Sequence, residues 1–267
     1  ATHRLVDQAD FFIVRDAESK RLIDHPKVQV APDLTFYQPL QTAQFGKIEQ
    51  TVTCGINLRP LHRGMSEWIR AIAALPCRKQ ALPFSLVPTY DDREPLAQIV
   101  SSCSDQASLD DYASLDVVVG TAFHSIVFAI QAGVPAIAIN YHPKVRRLME
   151  EVGLADFVLE WDEPQRLLPC FERALTDRVS IHQTMLSYTE RAQKALAQVL
   201  TQVRAAIDTR ALASKSDSAR PVAQSVVTVF VLSRGASDAE IARTVASCRG
   251  QTYPKIEIML TEGSDQD

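Results

Sequence analysis

The chain has 267 residues, of which 46% are hydrophobic and 22% are charged, and its formal net charge at pH 7 is −4. A chain of this length can form one or two domains with a real core, while its slight excess of acidic residues argues against nucleic acid as a partner. No apolar run approaches the roughly 18–20 residues that a membrane span requires, and the first 20 residues lack the pattern of a signal peptide.

Short apolar runs alternate with amphipathic stretches over residues 11–176. The apolar runs predict strands at residues 11–14, 51–58, 84–87, 116–119, 136–140 and 157–159. The stretches between them predict helices at residues 65–75, 93–103, 124–132, 144–152 and 164–176. Strands that alternate with helices of about 10–15 residues indicate βαβ units around a parallel sheet. We therefore predict a doubly wound, Rossmann-like α/β domain over residues 48–182.

The segments on either side of this domain have different characters. Residues 1–47 carry one predicted strand, one predicted helix (residues 17–23) and an extended stretch with proline, which indicates the end of an upstream Rossmann-like domain and a connector. Residues 183–213 predict one long helix, whose leucine and valine side chains repeat at helical spacing from Leu196 onward. Residues 214–224 contain Ser, Lys, Asp and Pro with little apolar content, and we expect a linker there.

Polar side chains follow two successive predicted strands. The apolar run 117–119 ends at Gly120, and His124 stands where the next helix begins. The next apolar run is followed by Tyr141 and Lys144. Ligands of open parallel sheets bind outside the carboxyl ends of the strands, and free amides at a helix start favour anions. The sequence therefore predicts a transferase-like site that combines a proton donor with an anion clamp.

An ordered series of short motifs runs through about the first 200 residues. They are residues 12–19 (FIVRDAES), 32–36 (PDLTF), 55–59 (GINLR), 116–125 (DVVVGTAFHS), 132–135 (AGVP), 139–144 (INYHPK) and 153–154 (GL). In this series the chain resembles the polysaccharide pyruvyltransferase family. The resemblance implies a GT-B-like architecture of two Rossmann-type domains with the active site in the cleft between them. This chain would then hold the last strand of the first domain and all of the second.

The resemblance also implies an activity. Members of the family transfer the enolpyruvyl group of phosphoenolpyruvate to two hydroxyls of a sugar, which makes a pyruvate ketal. The donor carries a carboxylate and a phosphate, so the site needs several fixed cations and an acid that protonates the vinyl carbon. We expect no metal and no cofactor, because arginines can neutralise the leaving phosphate. The acceptor would be a glycan or a lipid-linked sugar, which implies a cytoplasmic bacterial enzyme of surface-polysaccharide biosynthesis that meets the inner face of the membrane through its acceptor.

Seven residues are predicted to form the site. His124 is the predicted catalytic acid and base, because an imidazole at a helix start holds a proton when an anion lies beside it; the plainer interpretation is a histidine that only bonds backbone. Arg59 follows a strand and would bind a carboxylate or phosphate with its fork, unless it is tethered to a surface acid. Lys144 would add a point charge for phosphate, or else be a solvated lysine. Arg15 would reach the cleft from the upstream domain. The other predicted substrate-binding residues are Thr121, Ser125 and Tyr141.

One position departs from the family pattern. Many members carry an arginine two residues before the histidine, and this chain has Ala122 there. Three explanations stay open: Arg146 or Arg147 supplies the missing charge, the donor specificity differs, or the domain has lost activity.

Two further features could suggest a metal site. Asp91 and Asp92 are adjacent, but they precede a predicted helix and fit a capping pair better. The five cysteines include no close pair, so neither a disulfide framework nor a zinc site is predicted.

Gly133 and Pro135 indicate a tight turn between a helix and a strand.

The end of the chain, residues 225–267, predicts a second βαβ segment with strands at 226–232 and 256–260 and a helix at 238–248. Its apolar first strand and residues 251–254 (QTYP) are similar to the opening of a GT-A glycosyltransferase domain of the large inverting family. The resemblance implies that the pyruvyltransferase-like module is fused to a glycosyltransferase. The Asp-x-Asp metal motif of that fold would lie further along, so we expect this segment to be inert by itself and the chain to bind donor without turnover.

Two other functions stay open at this point. The same fold could bind a nucleotide-activated sugar, as GT-B glycosyltransferases do, with Glu150 or Glu151 on the ribose hydroxyls. The chain could instead be a non-catalytic domain that positions the fused glycosyltransferase, and Ala122 is the feature that favours this function. The clustering of arginine, histidine and lysine without a clear acid for ribose favours phosphoenolpyruvate as the donor.

Overall fold

The structure is a computed structural model that describes residues 6–7, 9, 11–37, 42–43, 51–60, 64–86, 91–103, 107, 109–216, 227–232 and 256–261, with side chains as far as residue 206. The chain divides into two units. The larger unit contains residues 1–86 and 90–204, and the smaller unit contains residues 87–89 and 205–267.

A small parallel sheet opens the larger unit. Its strands are β1 (Phe12–Val14) and β2 (Val28–Val30), and helix α1 (Ala17–Ile23) joins them. Asp16 caps α1, because its side chain accepts a hydrogen bond from the Ser19 amide at 2.7 Å. The predicted strand and helix of this segment are confirmed. Strand β2 is not predicted from the sequence, since a strand of three residues is too short to show an alternating pattern.

A five-stranded parallel sheet forms the centre of the larger unit. In chain order its strands are β3 (Thr53–Asn57), β4 (Arg78–Ala81), β5 (Val117–Gly120), β6 (Ala136–Asn140) and β7 (Val158–Glu160). The helices that flank it are α2 (Met65–Ala73), α3 (Arg93–Leu96), α4 (Phe123–Ala132), α5 (Pro143–Val152) and α6 (Leu167–Thr176). The strands lie in the order β4-β3-β5-β6-β7, and the four described pairings are all parallel. The predicted Rossmann-like α/β fold is therefore confirmed.

The strand order creates a crevice at one point of this sheet. The chain runs from β3 outward to β4 and then returns to the other side of β3 to form β5. Asn57, at the end of β3, is in register with Gly120, at the end of β5. Ligands of open α/β sheets bind outside the carboxyl ends of the strands where the order reverses in this way. The fold therefore indicates a candidate site just beyond Asn57 and Gly120.

One predicted strand is wrong. Residues 84–86 form a loop, and the strand is β4, where three of the four side chains are polar and at least partly exposed. An edge strand pairs on one side only and does not need an apolar sequence, so periodicity cannot detect it. The apolar signal comes from a loop that packs on the core, because the ring of Phe84 stacks on that of Phe128 with centroids 5.6 Å apart. The helix predicted at 93–103 is confirmed only over α3.

Helix α7 (Arg178–Ser216) extends beyond its predicted bounds at both ends. Its first part belongs to the larger unit and packs on the core there through side chains that recur every three or four residues. The buried members are Ile181, Met185, Tyr188, Ala192 and Leu196. The apolar stripe that the sequence shows from Leu196 onward therefore begins where the fully buried face ends, and Leu200 is 37% exposed.

Gly133 ends α4 in a left-handed conformation (φ 69°) that glycine adopts without steric cost. A Cβ atom at this position would lie 2.4 Å from Nδ1 of His182, which is itself 2.8 Å from the Gly133 carbonyl oxygen. We expect Gly133→Ala to lower the free energy of unfolding by about 2–4 kcal/mol, because backbone strain and overpacking add. Urea unfolding followed by circular dichroism would measure the change.

Gly153→Ala is a matched control for this prediction. Gly153 ends α5 with a φ of 90°, but a Cβ atom there would meet only Cγ2 of Thr184 at 3.9 Å. This variant should lose about 1–2 kcal/mol through backbone strain alone. Equal losses in the two variants would contradict the proposed clash with His182.

The smaller unit contains β8 (Val227–Leu232) and β9 (Ile256–Thr261), which pair in parallel. Both strands are predicted from the sequence, and a parallel pair requires a crossover connection. The helix predicted at 238–248 lies outside the described residues and stays a prediction, as does the resemblance to a GT-A domain. In the part of the chain that the structure describes, no helix is long and apolar enough to cross a membrane.

Candidate functional site

Hydrogen bonds join the ends of β3 and β5 and fix Arg59 between them. The Arg59 amide donates to Oγ1 of Thr121 at 2.9 Å. Oδ1 of Asn57 accepts from the Ala122 amide at 2.8 Å and from the Thr121 hydroxyl at 3.3 Å. The Arg59 guanidinium then donates through Nη1 to the hydroxyl of Tyr141 at 3.3 Å. Arg59 and Tyr141 are therefore brought together as predicted, while Thr121 is fully buried and supports the backbone of Arg59.

Asp92 is a buried acid behind Arg59 that the sequence analysis assigned to helix capping. Its Oδ2 accepts hydrogen bonds from the amides of Phe84 (2.9 Å) and Ser85 (3.0 Å) and from Nδ2 of Asn57 (3.1 Å). Its Oδ1 lies 3.8 Å from Nε of Arg59. Burial raises the pKa of the Asp92 carboxyl, although these donors and Arg59 oppose the rise. Arg59 is thus paired with an acid, but the acid is buried and lies on the protein side of the guanidinium.

The capping interpretation is correct for the neighbouring residue. Oδ1 of Asp91 accepts a hydrogen bond from the Arg93 amide at 2.9 Å, in the first turn of α3. The sequence offers no signal that separates Asp91 from Asp92, because both precede the same short helix and only packing buries one of them.

Two further cations gather over the ring of Phe123. The guanidinium carbon of Arg15 lies 4.6 Å from the ring centroid, and Nζ of Lys144 lies 5.7 Å from it. Cations are attracted to the faces of aromatic rings, so Phe123 holds both side chains at the same place. Burial lowers the pKa of the Lys144 ammonium, and the charges of Arg15 and Arg59 lower it further. Arg15, Arg59 and Lys144 form what we call the cation cluster, and all three are predicted site residues.

His124 stands beside the cation cluster at the start of α4. Its side chain is 49% exposed, and its ring stacks on Phe128 with centroids 6.2 Å apart. Nε2 of His124 lies 3.9 Å from Oδ2 of Asp33. Burial lowers the pKa of the imidazole, Asp33 raises it, and the three cations of the cluster lower it. His124 is therefore accessible to a ligand, and its pKa depends on the neighbouring charges. A bound anion would favour its protonated form.

Ser125 is not brought to the cation cluster. Its side chain is fully buried, and its Oγ shares a hydrogen bond of 3.0 Å with the hydroxyl of Tyr112. Consecutive helical residues point about 100° apart, so His124 and Ser125 cannot both face the crevice. Ser125 therefore lies in the core, and its predicted contact with substrate stays a prediction.

The two arginines considered as substitutes for a residue at Ala122 are both paired with carboxylates. Arg146 forms ion pairs with Glu160 and, at 3.8 Å, with Glu150. Arg147 forms ion pairs with Glu18 and, at 3.8 Å, with Asp16 of the α1 cap. Arg147 lines the cleft beside Arg15 and Lys144, but its charge is balanced there. The positive charge near His124 comes from the cation cluster.

A cleft extends from the cation cluster along α5 towards α7. Glu151 and Tyr188 line its far side together with Phe36. The Tyr188 hydroxyl lies 3.4 Å from Oε2 of Glu151, and burial raises the pKa of that carboxyl. Of the two glutamates considered for a ribose, only Glu151 lines this cleft, because Glu150 pairs with Arg146.

A family model described as polysaccharide pyruvyl transferase matches residues 1–143 of the chain, which is more than half of its length. The match includes Arg15, Arg59 and His124 and ends one residue before Lys144. No match is found among curated proteins.

Two solved structures are similar to this chain at low sequence identity. One is TarM, with a TM-score of 0.44 and 12% identity over 73% of this chain and 42% of the other. The second is the glycotransferase of kitacinnamycin, with a TM-score of 0.39 and 16% identity over 64% of this chain and 49% of the other. The chain thus spans less than half the length of either protein, and likenesses this weak carry no argument about the site.

Proposed function

The chain belongs to the polysaccharide pyruvyl transferase family, and we propose on that basis that it transfers the pyruvyl group of phosphoenolpyruvate to a sugar as a ketal. The observation that carries this proposal is the convergence of Arg15, Arg59 and Lys144 beside the accessible His124. A dianionic phosphate and a carboxylate on one small donor need such a group of cations.

The reaction sets clear demands on the site. Two sugar hydroxyl oxygens form bonds to the central carbon of phosphoenolpyruvate, and the bond from that carbon to the phosphate oxygen breaks. Of the two hydroxyl protons released, one ends on the vinyl carbon, which becomes a methyl group, and the other leaves with the phosphate. The site must therefore stabilise negative charge on the leaving phosphate and move a proton to carbon.

The cation cluster would supply the charge stabilisation. The guanidinium of Arg59 is oriented by Tyr141 and backed by Asp92, so its fork suits a carboxylate or a phosphate with little reorganisation. Lys144 and Arg15 both contact the ring of Phe123 and would neutralise the remaining charge of the donor. These three residues act in the proposed mechanism without any metal ion as an intermediary.

His124 would move the proton. Burial and the three cations lower its pKa, and the phosphate of a bound donor would raise it, since an anion favours the imidazolium. Donor binding would thus favour protonation of the histidine, which would release this proton to the vinyl carbon. The next hydroxyl proton would restore the imidazolium.

The acceptor would be a sugar of a surface polysaccharide or of its lipid-linked precursor. We propose a cytoplasmic protein that meets the inner face of the membrane through such an acceptor and that is fused to a glycosyltransferase domain beginning near residue 225. The parallel pairing of β8 and β9 supports an α/β domain there.

A nucleotide-activated sugar is the second candidate donor. The observation in its favour is Glu151, a carboxylate that lines the same cleft as Arg15 and Lys144. A carboxylate in a nucleotide site binds the hydroxyls of the ribose. Oε2 of Glu151 accepts a long hydrogen bond of 3.4 Å from the Tyr188 hydroxyl, and a carboxylate has the capacity to accept further hydroxyl donors.

Calorimetric titration with phosphoenolpyruvate tests the proposal. We expect Lys144→Gln and Arg59→Gln each to raise the dissociation constant about 10- to 100-fold, because a hydrogen bond to a charged group contributes about 1.5–3 kcal/mol. Arg173→Gln is the control, since Arg173 pairs with Asp156 on another part of the surface and should leave the affinity unchanged.

A parallel titration with uridine diphosphate glucose separates the candidates. Binding of the sugar nucleotide but not of phosphoenolpyruvate, with loss in a Glu151→Gln variant, would move the assignment to a glycosyltransferase. If neither ligand gives a binding signal, both candidate donors are contradicted. The remaining candidate is then a non-catalytic domain, which Ala122 favours.

A further inference from the structure

Asp33 lies beside two predicted site residues that come from different elements, Arg15 after β1 and His124 at the start of α4. Its Oδ2 is 3.6 Å from Nη1 of Arg15 and 3.9 Å from Nε2 of His124. We propose that Asp33 is the positioning residue of His124, holding the protonated imidazole in place among the surrounding cations. The inference rests on the proposed function only for the use that the reaction makes of this proton.

The carboxylate of Asp33 is itself held in a defined orientation. Its Oδ1 accepts hydrogen bonds from the Thr35 amide at 3.1 Å and from the Thr35 hydroxyl at 2.8 Å. This leaves Oδ2 directed to Arg15 and His124, and the side chain is only 15% exposed. A carboxylate with one oxygen anchored and the other presented to a histidine is preorganised for that contact.

The segment that carries Asp33 is attached to the helix that carries His124. Nε2 of the buried Gln131, near the end of α4, donates to the Thr35 carbonyl oxygen at 2.9 Å. His124 and Gln131 are seven residues apart in α4, which is about two turns, so both side chains leave the same face of the helix. The same face therefore holds the turn of Asp33 and presents the imidazole to it, and the distance between the two is fixed by packing.

The charges around His124 explain why such a partner is needed. Arg15 approaches from the end of β1, Arg59 from the end of β3 and Lys144 from the start of α5, and each disfavours a proton on the imidazole. Among the charged groups that act on His124 in the described part of the chain, Asp33 is the one with the opposite effect. The 3.9 Å separation is that of an ion pair and not yet of a hydrogen bond, as is common before a ligand closes a site.

The test is the titration of His124 by nuclear magnetic resonance in the full chain, without any donor. His124→Ala identifies the imidazole signals. In Asp33→Asn, we expect the His124 signals to titrate at lower pH than in the wild type, because the charge is lost while the Asn carbonyl still accepts the bonds from Thr35. Asp16→Asn is the matched control, since it removes a carboxylate charge from the same cleft, keeps the cap of α1 and should leave the His124 titration unchanged.

Thr35→Val supplies a second, independent variant. It removes the 2.8 Å anchor of Oδ1 and keeps the charge, so we expect a smaller displacement of the titration in the same direction. If His124 titrates at the same pH in the wild type and in Asp33→Asn, the inference is wrong. Asp33 would then only accept the hydrogen bonds of Thr35 and pair with Arg15.

This readout needs neither substrate nor turnover, so it stays decisive if phosphoenolpyruvate proves not to be the donor. If phosphoenolpyruvate does bind, Asp33→Asn should lower kcat about tenfold or more without weakening donor affinity, because it removes a negative charge from the cation cluster. A variant with wild-type kcat would also overturn the positioning role.

Discussion

Replacement of His124 by glutamine is expected to lower the rate of pyruvyl transfer about 10²- to 10⁴-fold, the usual contribution of a positioned general acid. Phosphoenolpyruvate affinity should change much less than the rate, because the cation cluster would supply most of the contacts that hold the donor. Phosphate release from phosphoenolpyruvate, with a panel of nitrophenyl glycosides as acceptors, measures the rate in the full-length enzyme. Calorimetry measures the affinity.

His182→Gln serves as the control for this prediction. His182 bonds the carbonyl of Gly133 at the other end of α4, so its loss should leave kcat close to the wild-type value. A His124→Gln enzyme that keeps more than a tenth of the wild-type kcat would show that another group protonates the vinyl carbon.

The pH dependence provides a second check on His124. The pKa of its imidazole is lowered in the free protein by burial and by the three cations, against the effect of Asp33. The acid form is therefore lost from the free enzyme as pH rises through this lowered pKa, and kcat/KM should fall there. In the donor complex the phosphate raises the pKa, so kcat should fall only at a higher pH. Coincident descending limbs would contradict the proposed protonation on donor binding.

The largest expected effect on stability comes from Asp92→Ala, which should lower the free energy of unfolding by about 3–5 kcal/mol. The change leaves the part-buried amides of Phe84 and Ser85 without this acceptor and removes one of the two acceptors of the buried Nδ2 of Asn57. It also leaves the Arg59 guanidinium without its buried counter-charge. Urea unfolding monitored by tryptophan fluorescence would measure the loss, since Trp68 is fully buried in the core of the larger unit.

Asp91→Ala is the natural comparison, because it removes an adjacent carboxylate that pairs with Arg93 at the surface. Partly exposed ion pairs contribute about 0–1 kcal/mol, so the free energy of unfolding should fall several times more in Asp92→Ala than in Asp91→Ala. Asp92→Asn should fall between them, since its carbonyl can still accept the two amides while its NH₂ group faces Nε of Arg59. Similar losses for Asp91→Ala and Asp92→Ala would refute the structural role assigned to the buried carboxylate.

Asp92 also links stability to function. The residue holds the loop that follows β4 and backs the guanidinium that is proposed to bind the donor. Natural sites often combine an exposed charge for the ligand with a buried charge that orients it, and the second residue is costly to replace for both reasons.

The sequence by itself determined the parallel α/β fold, and it predicted a candidate site at one edge of the sheet. Apolar runs of strand length separated by helical stretches predict β3, β5, β6 and β7, because buried parallel strands need apolar side chains on both faces. Since the carboxyl ends of parallel strands meet at the same edge, Arg59, His124 and Lys144 could be assigned to one site from their places after β3, β5 and β6. The resemblance added Arg15, which lies on a separate sheet.

Only the tertiary structure decided which polar residues are buried, which are exposed and which of them pair. Asp91 and Asp92 have the same local sequence signal, yet packing leaves one at the surface and buries the other behind Arg59. His124 and Ser125 are neighbours in sequence, yet the helical rotation exposes the first and buries the second. The contact of Asp33 with His124 joins two segments whose separation is set by the packing of a turn on α4. Local periodicity carries no information about such long-range contacts, because they depend on how complete elements pack and not on the residues next to them.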